Sequence, residues 1–265
     1  MNDMPLGVFD SGLGGLTALR VLKTICPSEN IIYFGDTGRV PYGTKSAETI
    51  KKYAVQDAAF LKSFGVKAIL AACGTVSANA MDELKSDTFV MGVIKPTVDK
   101  ASALTKKGGT VLILGTEATI ESGAYEKYLS KLRPDIKVLK KACPMFVPMV
   151  ENGYTDKDDE AVKKIVSDYL SEFCGKADTA ILGCTHYPLL INAISAVLSE
   201  TVLVDSGAAA AEAMRDYLRE NGLESKNGGK ISLYVSDGVR NFENLATRFL
   251  GESPESVEKV DIEKY

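Results

Sequence analysis

The sequence predicts an α/β protein of two similar halves, each a doubly wound, mostly parallel sheet, with a ligand cleft between them. Three observations carry this. Short apolar, β-branched runs alternate with stretches of helical period along the chain, which is how βαβ units read. The runs are apolar at successive positions rather than at every second one, as expected of strands covered by helices on both faces. Finally, the first half echoes about 110 residues later: segment 6–20 has a counterpart in 111–125, and the run ending at Cys73 has one ending at Cys184.

In chain order, strands are expected at 6–9, 31–34, 68–72, 89–93, 111–114, 137–139, 179–182, 202–204 and 231–235. Helical period marks 47–64, 118–132, 158–173 and 208–220. Asn227-Gly228-Gly229 reads as a turn before the last strand, and segment 231–250 reads as a strand and helix that return to complete the first sheet. The expected division is therefore 1–96 plus 208–265 for the first, discontinuous domain and 97–207 for the second. The residues that end the strands are short and polar: Asp10-Ser11-Gly12, Cys73-Gly74-Thr75, Gly115-Thr116, Gly183-Cys184-Thr185 and Asp205-Ser206-Gly207. In open α/β sheets, ligands sit beyond the carboxyl ends of the strands, so a cleft lined by these ends suits a small, polar, anionic ligand.

Composition narrows the class. The chain has 265 residues, 45% hydrophobic and 25% charged, enough for one large or two ordinary domains with real cores. A net charge of -4, without a basic stripe, argues against a nucleic-acid partner. No apolar run approaches a membrane span, and the start of the chain lacks the pattern of an export signal. Five cysteines at irregular spacing read as reduced thiols of a cytoplasmic protein rather than a disulfide framework. With a single histidine, they match no familiar zinc spacing, so no metal is expected.

Chemistry concentrates in two strand ends. Cys73 and Cys184 are either small core residues or a facing thiol pair. Their place at strand ends beside Thr75 and Thr185 favours the second reading, because a helix N-terminus favours the thiolate, the form that acts as base or nucleophile. His186 lies two residues beyond Cys184, so on an extended segment both side chains share a face. It is either a packed histidine or a cation and proton partner for the thiol. Asp10, before the flexible Ser11 to Gly15 turn, has the mirror-image position near Cys73, or serves as a helix cap. That turn lacks both the Walker lysine and the full dinucleotide spacing. The loop holding Pro41, Tyr42 and Gly43 is either an ordinary turn or a place where backbone N–H groups approach a ligand. A cysteine nucleophile served by His186 remains open as a hydrolase or transferase reading, but it leaves Cys73 without a role.

Six stretches resemble the glutamate racemases, the cofactor-independent aspartate/glutamate racemase family: Gly7-Val-Phe-Asp-Ser-Gly-Leu-Gly-Gly-Leu16, Tyr33-Phe-Gly-Asp-Thr-Gly-Arg-Val-Pro-Tyr-Gly43, Ala72-Cys-Gly-Thr75, Ala142-Cys-Pro-Met-Phe-Val-Pro148, Leu182-Gly-Cys-Thr-His-Tyr-Pro188 and Asp205-Ser-Gly207. The resemblance implies two α/β domains with the active site between them. It also implies L- and D-glutamate as substrates, α-proton transfer by two cysteines without cofactor, a role in peptidoglycan biosynthesis and cell shape, and a homodimer. Carried over by residue, Cys73 and Cys184 are the acid/base pair, with Asp10 assisting the first and His186 the second. Asp10, Ser11, Pro41, Tyr42, Gly43, Gly74, Thr75, Thr116, Thr119, Thr185 and His186 would surround the substrate. One position departs from the pattern: the family's first cysteine is usually followed by Asn, and here Gly74 stands in its place. That keeps open a racemase of another acidic amino acid such as aspartate, or a catalytically impaired amino-acid-binding relative.

Overall fold

The computed structural model describes residues 3–265. The chain begins β1 (Leu6–Asp10), α1 (Leu16–Ile25), β2 (Ile31–Gly35), α2 (Ala47–Lys62), β3 (Ala68–Ala71), α3 (Gly74–Asn79), β4 (Phe89–Gly92) and α4 (Ile94–Leu104). It continues with β5 (Thr110–Gly115), α5 (Glu117–Glu121), α6 (Ala124–Leu132), β6 (Lys137–Ala142), α7 (Phe146–Glu151), α8 (Glu160–Leu170), β7 (Thr179–Leu182) and α9 (Ile191–Val197). The last elements are β8 (Val202–Asp205), α10 (Ser206–Glu220), β9 (Ile231–Val235), α11 (Val239–Leu250) and β10 (Val257–Lys259).

Two sheets result. One has six strands in the order β10-β9-β2-β1-β3-β4 and the other four in the order β6-β5-β7-β8; every pairing is parallel. The run β2-β1-β3-β4 repeats as β6-β5-β7-β8, the order that an internal duplication leaves behind. In both, the chain steps to one side of its first strand and then to the other, making a switch point between β1 and β3 and again between β5 and β7. Asp10 and Cys73 stand at the first switch point, Thr116 and Cys184 at the second.

The inner strands β1, β2, β3, β5 and β7 are buried on both faces, and that explains their unbroken apolar runs. Leu6 and Val8 point into a cluster that continues through Val111 to Leu114 and Ala180 to Leu182. Phe9, Ile32, Phe34 and Ile69 point the other way, against Ile50, Ala54, Phe60 and Leu61 of α2. Each large side chain so buried contributes about 1.5–3 kcal/mol. Helix starts follow local chemistry: Ser46 accepts from the Thr49 N–H to begin α2, Asp159 accepts from Ala161 and Val162 to begin α8, and Asp205 accepts from Gly207 and Ala208 to begin α10.

Two expectations need correction. The helical period over 118–132 is not one helix, because Gly123 takes φ +63° and separates α5 from α6. Three residues near the C-terminus, Val257–Lys259, add an edge strand that their short, charged sequence did not announce. Among the described residues, no helix is long and apolar enough to cross a membrane.

Candidate active site

The carboxyl ends of the two sheets enclose a cavity of about 290 Å³, lined by Ser11, Cys73 and Thr75 on the six-stranded side and by Thr116, Cys143 and Cys184 on the other. Its size suits a small ligand, and it lies where the two switch points face each other.

Cys184 sits two residues past β7, with only 7% of its surface exposed. His186 Nδ1 lies 3.8 Å from its sulfur, and His186 Nε2 lies 3.0 Å from Glu151 Oε1. The ring is braced edge-on by Phe249, 5.4 Å between centroids. Burial alone would pull the imidazole pKa down, but the contacts with Cys184 and Glu151 more than offset it and carry it up to about 10. His186 is therefore a cation held against the Cys184 sulfur at neutral pH.

Cys73 occupies the N-cap of α3 and is 4% exposed. Its thiol donates to Ser11 Oγ at 3.6 Å. Burial first, and the Asp10 carboxylate second, push the thiol up to about 12, although the Val76 N–H and the Ser11 hydroxyl act the other way. The expectation that a helix N-terminus would favour the thiolate is thus corrected here. A six-residue helix beside a buried carboxylate does not overcome desolvation.

Asp10 is fully buried, just behind the cavity wall. It accepts the Gly12 N–H at 2.9 Å and the Thr185 hydroxyl at 3.4 Å, so it ties the two strand ends together. Burial raises its carboxyl, against the pull of His186 and of the Gly12 and Gly15 N–H groups. Among the described residues, Asp10 makes no hydrogen bond to Cys73; its influence on that thiol is electrostatic.

The remaining sequence-predicted residues divide in the same way. Pro41, Tyr42, Gly43, Gly74, Thr75, Thr116 and Thr185 line the cavity. Thr75 and Thr116 share a hydroxyl contact of 3.1 Å, and Thr116 caps α5 by accepting the Thr119 N–H. Thr119 itself is buried behind Thr116, 2.9 Å away through the hydroxyls. The Tyr42 hydroxyl is engaged away from the cavity, donating to Asp36 and to Asp57. Arg39 bridges the same two carboxylates, at 2.6 Å to Asp36 and 2.9 Å to Asp57. This buried cluster fixes the loop that carries Pro41 to Gly43.

Sequence reasoning missed Glu151 and underused Cys143. Both were within reach: the matched block 142–148 runs directly into α7, where Val147 and Glu151 lie one turn apart and both reach the cavity. The arrangement places two buried thiols at opposite strand ends of one cavity, one beside a cation and one beside a hydroxyl. That is suited to taking a proton from one face of a small molecule and returning one to the other.

The chain is similar to known proteins along its length. Residues 17–214 match the Asp/Glu/Hydantoin racemase family. A glutamate racemase of Aquifex aeolicus is 44% identical over 256 residues, covering 95% of this chain and 96% of its own. The crystal structure of glutamate racemase from Francisella tularensis in complex with D-glutamate superposes with a TM-score of 0.93 at 38% identity, over all of both chains. That from Thermus thermophilus, in complex with β-chloro-D-alanine, superposes at 0.90 with 40% identity, over 100% of this chain and 99% of the other. With a family match across most of its length and relatives this similar from end to end, the chain belongs to the Asp/Glu/hydantoin racemase family.

Proposed function

We propose that this protein is a glutamate racemase, an isomerase that interconverts L- and D-glutamate by two-thiol α-proton transfer without pyridoxal phosphate. The observation that carries the reading is the placement of Cys73 and Cys184 at the two switch points of a single cavity. In the L to D direction, as the family resemblance implies, Cys184, with the His186 cation beside it, takes the α-proton as a thiolate. Cys73, held as a thiol, delivers its own proton to the opposite face. One proton leaves carbon and one arrives, the two thiols exchange protonation states, and the reverse reaction runs through the same groups with roles swapped. Negative charge developing on the α-carboxylate meets short polar donors, among them the hydroxyls of Thr75 and Thr116.

The wider reading is that the enzyme supplies D-glutamate for peptidoglycan, acts in the cytoplasm and works as a homodimer. The division into 1–96 with 208–265, and 97–207, is supported by β9 and β10 extending the sheet that holds β1 to β4. Circular dichroism of L-glutamate and, separately, D-glutamate with the purified, reduced protein and no added cofactor tests the activity: both signals decay to zero if the reading is right. Constant glutamate signals with decay of aspartate's would move the substrate to aspartate, and no decay of either would remove the racemase reading.

A further inference from the structure

Around the cavity, the loops of the six-stranded half meet those of the four-stranded half through glycines. A Cβ built on Gly43 would stand 2.9 Å from the Thr116 Cβ, and one on Gly14 would stand 2.1 Å from the Thr185 hydroxyl and 2.6 Å from His186 Nδ1. The Thr185 hydroxyl and the His186 ring have some freedom to turn aside, whereas the Thr116 Cβ is held by its backbone. Gly74 differs: its Cβ would stand 2.2 Å from the backbone carbonyl oxygen of Gly183. The oxygen belongs to a peptide fixed at the end of β7, and the Gly183 N–H is itself bound to the Leu114 carbonyl at 2.8 Å. It has no side-chain torsion with which to retreat.

The position of this contact gives it leverage. Gly74 follows Cys73 in the chain and Gly183 precedes Cys184, so this close approach of the two halves is one residue removed from each sulfur. We propose that Gly74 sets the closure of the cleft: lacking a Cβ, it lets the first turn of α3 seat on the Gly183 carbonyl, and this contact fixes how closely Cys73 and Cys184 flank a bound amino acid. Gly74 is thus a positioning residue, and placing Asn there does not restore a missing side chain without first moving the halves apart. The catalytic consequence rests on the racemase reading, while the closure itself is a property of the fold.

The two levels are separated by two readouts on Gly74→Ala. The first needs no substrate activity. With Cys73 and Cys184 buried at the contact and Cys174 exposed, alkylation by a small maleimide, followed residue by residue by mass spectrometry, reports closure. The variant is expected to label Cys73 and Cys184 at least about ten-fold faster than the parent at an unchanged rate for Cys174, as local opening requires. The second compares two reactions of the same site. Racemisation needs both thiols in register. Loss of chloride from a β-chloro amino acid needs only one: a thiolate takes the α-proton, the C–Cl bond breaks, and the released enamine is hydrolysed by water to keto acid and ammonium. Racemisation kcat is expected to fall about 100-fold, with elimination within about three-fold of the parent, because misplacing a reacting group by an ångström costs that much. Unchanged alkylation of both buried thiols, or racemisation and elimination falling in parallel, overturns the proposal. A parent without racemase activity would instead remove the functional reading and leave the alkylation test to decide closure. Should Gly74→Ala not fold, Gly43→Ala, which props the halves apart against the Thr116 side chain, is read by the same two assays.

Discussion

The two thiols occupy equivalent places in a duplicated architecture, each two residues beyond the third strand of its sheet, yet their surroundings are opposite. Cys184 has an imidazolium at 3.8 Å, itself anchored by Glu151, whereas Cys73 has a hydroxyl at 3.6 Å and a buried carboxylate that disfavours its ionisation. The repeated strand order supplies the geometry and the local side chains supply the charge. A substrate whose two faces are mirror images is thus met by a site that is not symmetric: one flank is disposed to accept a proton and the other to give one. In the proposed reaction the protons exchange places at each turnover, and the Asp10 carboxylate, bonded to Thr185 on the far side, links the two flanks.

Removing either thiol tests whether both flanks are needed. Cys73→Ala and Cys184→Ala are each expected to lower racemisation in both directions by at least about 10³-fold, the scale of a lost acid/base group. Retention of full activity by either would break the comparison outright. Replacing the cation comes next: His186→Gln is expected to lower kcat about 100-fold and to enlarge the primary isotope effect with α-deuterated L-glutamate more than with the D-enantiomer. Equal isotope effects from both enantiomers would show that the cation does not belong to one flank. Ser11→Ala is the mirror test, with a loss of about ten-fold, the worth of one hydrogen bond near a charge, and the larger isotope effect now on D-glutamate.

A further effect is on stability. His186 is raised from 6.5 to about 10 in the folded protein, so the stability it contributes is fully present below pH 6.5 and is lost as the pH climbs through 10. Urea midpoints of the parent and His186→Gln should therefore be furthest apart at pH 6.5 and converge by pH 10. A gap that is constant across that range would mean that His186 is not held as a cation.

Much of this was legible in the sequence because parallel strands buried on both faces write themselves as unbroken apolar runs. The polar residues that end those runs therefore stand out, among them Cys73, Cys184, Thr116 and Ser11, all of which line the cavity. Side-chain direction was less legible. Tyr42 lines the cavity, but nothing in its spacing told that its hydroxyl would turn toward Asp36 of the same loop and Asp57 of α2. Glu151 carried a weaker signal, its place one turn beyond Val147 of the matched block, because its partner His186 lies 35 residues away and meets it only through folding. The charge state of Cys73 was hidden for the same reason: a helix start is visible in sequence, whereas the depth of burial that cancels it is not. The hinge-like bend at Gly123 and the edge strand Val257–Lys259 are local choices that periodicity over a longer window averages away.

The account's central claim is that one thiol works from each face of the substrate, and the most direct test is racemisation in D2O. L-glutamate and D-glutamate are incubated separately with the protein, and deuterium at the α-carbon is read in product and in recovered substrate at early times. Two thiols on opposite faces predict product deuterated from the first turnover and recovered substrate that keeps its protium, from either enantiomer. Deuterium entering recovered substrate as fast as product would mean that a single group serves both faces, and would contradict the account.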